Sequence, residues 1–253
     1  MKTVSILITS FLRPQLLKWN LWSLSRQPIP FDFETIVLND GLPDETVALC
    51  EQYEKQLNLK YVFTGKRNSP GSLIYRVPGF ALNIGIRKAK GQVLVISCAE
   101  MFHVNNTVEN LVLPVLGDNK NISTSIGMDD TGAFLDGLNK LGDFSWIDYI
   151  ACFPRLNTRL PFLMAVNRQE MIDIGGYDED FTGFAYDDDD LISRLLGNGC
   201  YMCLTQAQTI HLYHERHDDS HMDSPELKHN ERLYNERKGQ IFRNQNHYWG
   251  QLD

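Results

Sequence analysis

Along this chain, short and almost unbroken apolar runs alternate with longer stretches in which apolar residues recur every three or four positions. Residues 3–9 form the first run, β-branched and of strand length, suited to the buried centre of a parallel sheet. Pro14 then opens a helix whose apolar positions Leu16, Leu17, Leu21 and Leu24 share one face. Residues 34–41 repeat the pattern as a second strand ending in Asn39, Asp40 and Gly41. Asp44 is placed to cap a helix carrying Val47, Leu49, Cys50, Tyr53 and Leu57, and residues 61–63 supply a third strand. Residues 80–91 predict a helix closed by Gly91, and residues 92–97 a fourth strand. Strand and helix in alternation predict an α/β fold with an open, mostly parallel central sheet flanked by helices.

The second half is less regular. Residues 108–113 predict a helix, 122–126 a strand and 129–143 a polar, Gly-containing excursion. A buried strand at 160–166 and a short helix at 169–174 follow. Residues 200–204 and 209–213 read as a pair of strands, and the chain from Ser224 reads as a charged helical tail ending near Tyr248 and Trp249. The loop from Arg67 to Gly79, punctuated by Gly and Pro, has the length and composition of a mobile cover.

With 253 residues, 43% hydrophobic and 22% charged, the chain can bury the core of one large domain. Its apolar runs are strand-sized, so no spanning segment is expected, and without a secretory leader the expected compartment is the cytoplasm. A net charge of −8 argues against a broad grip on nucleic acid or anionic membrane. Cys200 and Cys203 form a lone C-x-x-C, but strand geometry points them to opposite faces and no second pair completes a zinc site. Asn105 and Asn121 begin glycosylation sequons, which matter only for an exported chain.

The chemistry concentrates in a few places. Asp187, Asp188, Asp189 and Asp190 open an apolar helix after the Gly-rich, aromatic turn 183–186. A helix dipole accounts for one or two acids in a first turn, whereas four repel one another and are candidates for raised pKa and base chemistry. Glu100 and His103 follow the fourth strand as oxygen and nitrogen ligands, and His211, His214 and His217 cluster late in the chain. Phe11 and Arg13 follow the first strand, where an aromatic ring and a cation can meet a base and a phosphate.

These landmarks, in this order, resemble the GT-A glycosyltransferases, family 2 in particular, with an acceptor motif similar to the galactosyltransferase-type domains. Gly-Tyr-Asp-Glu-Asp-Phe from Gly176 to Phe181, a Gly-containing turn and then acid-Asp-x-Asp-Leu carry the likeness. Residues 5–14 resemble the opening strand and turn of that family, and residues 37–44 its uracil-reading segment, with Asn39 in place of one acid and Asp40 retained. Residues 81–85 and 89–91 are similar to the helix before the metal motif. Where the family has Asp-x-Asp, this chain has Cys98, Ala99 and Glu100. Glu100 and His103 also resemble an x-x-Glu-x-x-His ending of the same strand.

The resemblance implies a GT-A domain over residues 1–222, with a nucleotide-binding half to about residue 104 and an acceptor half from 105, and a tail over 223–253. It implies donor contacts from Thr9, Phe11, Arg13, Asn39, Asp40, Asn83, Cys98 and Ala99. Mn²⁺ or Mg²⁺ is expected on Glu100 with His211 and His214, and Asp188 is expected as general base with Asp187 orienting the acceptor. The expected activity is inverting transfer from a UDP-sugar to a glycan or glycoconjugate hydroxyl. A binding module that has lost catalysis, motivated by Cys98 and Asn39, and an enzyme glycosylating modified DNA bases are the alternatives. The tail is a candidate surface for self-association.

Overall fold

The computed structural model describes residues 3–65, 77–142, 154–156, 162–215 and 225–252. The predicted cover loop falls largely outside this set, as do His217 and the start of the strand expected at residue 160. Four parallel strands, β1 (Val4–Ser10), β2 (Phe33–Asn39), β3 (Leu59–Phe63) and β4 (Val93–Cys98), are joined by α1 (Pro14–Leu24), α2 (Thr46–Tyr53) and α3 (Gly79–Lys88). Beyond them come β5 (Met101–His103), α4 (Thr107–Gly117), β6 (Asn121–Asp129), α5 (Ala133–Leu141), β7 (Leu163–Asn167) and α6 (Arg168–Asp173). The last elements are α7 (Asp187–Gly197), β8 (Tyr201–His211) and α8 (Pro225–Glu236). One sheet runs β3-β2-β1-β4-β7-β6-β8-β5, with β7 antiparallel to both β4 and β6.

Strand β1 shows why the pattern works. Val4, Ile6 and Ile8 pack into the layer of α1 and α4, whereas Leu7 faces α3 and α7. A strand apolar on both sides can lie only at the centre of a sheet covered on both faces. The sheet therefore separates two apolar layers, and a third cluster of Trp19, Phe102, Phe134 and Leu138 closes the β5 edge.

The structure corrects several expectations. The excursion at 129–143 contains α5, whose Phe134 and Leu138 are one turn apart and buried. The two strands expected between 200 and 213 are the single strand β8, continuous because a register shift opposite Thr124 and Ile126 absorbs the polar middle. Helix α2 ends at Tyr53 instead of reaching Leu57, and Asn58 turns the chain back at φ 44°. Helix α3 ends at Lys88, so Gly91 is not its cap. Gly91 is needed for close approach: a Cβ there would lie 2.4 Å from the Ser5 amide nitrogen and 2.5 Å from the Val4 carbonyl carbon.

The tail returns to the domain. Trp249 is buried in the core layer of Tyr177 and Leu191, and the Arg87 guanidinium lies 3.8 Å from its ring centroid. Much of the surface considered for self-association is thus spent within the chain. Among the described residues no helix is long and apolar enough to cross a membrane.

Because backbone cannot yield at Gly91, Gly91→Ala should destabilise the fold by roughly 1–3 kcal/mol. Urea unfolding measures it, and an unchanged midpoint would contradict the close approach.

Candidate active site

The carboxyl ends of β1, β2 and β4 open into one cleft, the usual ligand position in a parallel sheet. Thr9, Phe11, Arg13, Asp40, Cys98, Glu100 and Asp188 line it, together with Phe162 and Tyr177. Three expected donor contacts stand behind its wall. Asn39 is buried and committed to its own loop, donating to Asp44 Oδ1 (3.1 Å), Leu42 O (3.2 Å) and Tyr61 (3.2 Å) while accepting from the Gly41 amide. Asn83 accepts from the Tyr177 amide (2.8 Å) and donates to Tyr177 O and Glu179 Oε1 (both 2.9 Å). Ala99 is wholly buried, its amide donating to Thr9 O at 2.8 Å. Asp40, buried at the cleft edge, accepts from Thr64 Oγ1 at 3.0 Å. Burial pushes the Cys98 thiol well above its ordinary value, with the Glu100 charge adding to the effect, so this position is neutral.

Strand register builds one end of the site. Met101 pairs with His211 across β5 and β8, and the Leu212 amide donates to Glu100 O at 2.8 Å, which brings Glu100 beside His211. His214 follows on the same turn. Ligand atoms of Glu100, His211 and His214 lie within 4.8 Å of one another. Both ring tautomers are set by partners that can only accept. His211 Nδ1 sits 2.9 Å from Asp129 Oδ1, its neighbour across β6, and His214 Nδ1 sits 2.9 Å from Glu215 O. Each Nδ1 therefore carries the proton, and each Nε2 turns a lone pair towards Glu100 Oε1, at 4.0 and 3.8 Å. Burial lowers the His214 pKa, favouring the neutral ring. Two lone pairs and a carboxylate converging on one point fit a divalent cation. Arg13 Nη1, 2.6 Å from Glu100 Oε1, supplies a second positive group there.

His103, by contrast, turns away. It is buried against α1 with Nδ1 3.1 Å from Ser23 Oγ, and burial lowers its pKa to about 4. Sequence reasoning missed Asp129, which holds His211, because it fell in the expected polar excursion and β6 runs on past residue 126 to reach it.

The other end of the site is the first turn of α7. Ala185 and Tyr186 take φ of 68° and 72°, a left-handed pair that swings Asp187 and Asp188 inward. Two such non-glycine residues cost roughly 1–2 kcal/mol each. Asn230 on α8 meets the cost by gripping the turn: its side chain donates to Phe184 O (2.9 Å) and Ala185 O (3.1 Å) and accepts from the Thr182 amide (3.1 Å). Desolvation raises the pKa of both carboxyls, and the charge of Asp187 adds to the rise at Asp188. Asp188 Oδ1 and Asp187 Oδ2 are sealed from solvent with no hydrogen-bond partner among the described residues.

Asp190 does different work. It pairs with Arg194 Nε at 2.7 Å and with Arg243 Nη2 at 2.8 Å, and Arg243 also reaches Asp178 at 2.8 Å. Gly175 and Gly176, at φ +83° and +68°, let this tail approach: a Cβ on Gly175 would fall 2.2 Å from Arg243 O, and one on Gly176 2.7 Å from the Trp249 ring. Arg243 in turn fixes the Gly-Gly-Tyr-Asp segment to the base of α7.

A parallel nucleotide-type half, antiparallel strands added at β7, and a carboxylate–histidine cluster opposite an acidic helix start define the GT-A glycosyltransferase fold. Solved structures share it. GalNAc-T7 with UDP, GalNAc and Mn²⁺ aligns with a TM-score of 0.65 at 17% identity, covering 93% of this chain and 48% of that one. The mannosyltransferase PcManGT from Pyrobaculum calidifontis, with GDP-Man and Mn²⁺, aligns at 0.59 and 16% identity, covering 85% and 58%. The chain belongs to glycosyl transferase family 2, whose profile matches residues 5–169; a profile described as the N-terminal domain of galactosyltransferase matches residues 159–218. Validoxylamine A glucosyltransferase of Streptomyces hygroscopicus subsp. limoneus is 27% identical over 251 residues, covering 87% of this chain and 54% of that protein. Chondroitin synthase of Escherichia coli is 25% identical over 236 residues, covering 78% and 33%. The chain thus spans about half, or less, of the length of these relatives.

Removing one member of a buried charge network strands its partners, a loss of about 3–5 kcal/mol. Arg243→Met should therefore lower Tm by many degrees, while Arg237→Met, whose side chain is 28% exposed, should cost less. Equal Tm values for the two variants would contradict the network.

Proposed function

We propose that this chain is an inverting, metal-dependent glycosyltransferase that moves a sugar from a UDP-sugar to a hydroxyl of a glycan or glycoconjugate. One observation carries the reading: a single cleft is lined both by Glu100, with His211 and His214 beside it, and by Asp188, whose Oδ1 is unsatisfied. The named activity of the glucosyltransferase relative and the UDP and GDP-Man in solved neighbours support a nucleotide-sugar donor.

Each residue then has a task. Phe11 offers a ring to the base, and Asp40 a carboxylate oxygen to the imino N–H of a uracil. Glu100, His211 and His214 would hold the divalent ion, and mixed carboxylate and imidazole ligation favours Mn²⁺ over Mg²⁺. When bound, it would neutralise charge developing on the departing pyrophosphate. Arg13 adds a fixed cation on the same side. The Asp188 carboxylate takes the acceptor hydroxyl's proton, and Asp187 orients that hydroxyl. With the base on the face opposite the leaving group, a single in-line displacement inverts the anomeric centre. The neutral Cys98 leaves the ion only one carboxylate.

Asp188 acts as a base only when ionised, so transfer should rise with pH through its raised pKa. Stability should run the other way. Between the ordinary Asp value of about 3.9 and the raised folded value, the folded state holds a proton that the unfolded chain has released, so stability falls as pH rises. Asp188→Asn should abolish transfer, preserve UDP binding and raise Tm at pH 8 but not at pH 4; an unchanged transfer rate would remove Asp188 as the base. Glu100→Ala should weaken Mn²⁺-dependent UDP binding at least about tenfold, a direct ligand costing no less than the groups behind it. An unaltered Mn²⁺ titration by calorimetry would remove Glu100 as a ligand.

A further inference from the structure

Tyr177 is wholly buried, yet it belongs to the cleft wall with Leu82, Ile96, Ser97, Cys98 and Asp188. Its base is fixed from several sides. The backbone N–H and C=O are both held by Asn83, Asn244 donates to the same carbonyl at 2.6 Å, and Gly79 packs so closely that a Cβ there would lie 2.8 Å from Tyr177 Cβ. The hydroxyl at the far end of the ring has no hydrogen-bond partner among the described residues.

A buried phenol without a partner destabilises a fold, and phenylalanine would fill the same space without that cost. Asp188, whose Oδ1 is likewise buried and unsatisfied, lines the same cleft. A phenol that needs an acceptor and a carboxylate that needs a donor, not bonded to each other, call for a group of hydroxyl character between or beside them. Leu82 and Ile96 are apolar and offer it no acceptor. This part of the wall joins α3 and β4, which build the nucleotide half, to the base on α7. The group in transit from donor to acceptor sits between those two.

Resting on the transferase reading, we propose that Tyr177 contacts the donor sugar, its phenol donating a hydrogen bond to a hydroxyl oxygen of the transferred hexose. It sets affinity for the sugar and not for the nucleotide.

The test is Tyr177→Phe, which removes one oxygen and keeps the packing. Calorimetry in Mn²⁺ would titrate wild type and variant with UDP, UDP-glucose and UDP-GlcNAc. Both proteins should bind UDP equally, and the extra affinity that wild type gains from its preferred sugar should fall about tenfold in the variant. Tm of the ligand-free variant should be unchanged or higher, since no bond within the protein is lost. The proposal is overturned if the variant keeps the wild-type ratio of UDP-sugar to UDP affinity, if wild type gains nothing from any sugar, or if UDP binding weakens equally. Failure of wild type to bind UDP at all would instead overturn the transferase reading, and the proposal with it.

Discussion

Four buried charges hold this molecule's chemistry in place. Asp190 and Asp178 come from either side of the Gly-rich turn, Arg194 from one turn further along α7, and Arg243 from the tail. Charges removed from water are costly unless they meet one another with good geometry, and here each carboxylate finds at least one guanidinium within 2.8 Å. The network does not react. It ties the first turn of α7 to the segment that carries Tyr177, and so determines where Asp188 points.

The two ends of the cleft are made by different means. At the Glu100 end, register does the positioning: β5 against β8 and β6 against β8 put Glu100 and Asp129 on either side of His211. Backbone hydrogen bonds set that geometry, which is rigid. At the α7 end, two left-handed residues and a helix start place a carboxylate in an apolar surrounding, which is unfavourable in itself and persists because Asn230 and Arg243 hold it. The Glu100–histidine part of the site is built from the sheet, and the Asp188 part is built from strain and desolvation.

Most of the sheet was legible in the sequence, because a strand buried on both faces is apolar at most positions, as β1 is with Val4, Ile6, Leu7 and Ile8. The Asp188 and Glu100 positions were legible too, through motif order. Asn39 and Asn83 were misplaced at the donor because a side-chain amide looks the same in a motif whether it faces ligand or its own loop. Only coordinates show that Asn83 spends all its bonds on Tyr177 and Glu179. Helix α5 was hidden although Phe134, Leu135 and Leu138 fall at helical spacing, because Gly132, Gly137 and Gly142 read as loop. The tail was read as a charged helix and a polar end that packs on the domain or contacts a partner, left open because no local pattern reveals that Arg243 answers a carboxylate 53 residues earlier.

That separation has a consequence for the order in which the protein comes into being. Strands β1 to β4 and the Glu100 position emerge first from a ribosome and can pair as they appear, whereas Asp188 emerges well before Asn230 and Arg243. During synthesis the Asp188 end of the cleft is the last to be locked, so a nascent chain possesses a sheet before it possesses a completed cleft.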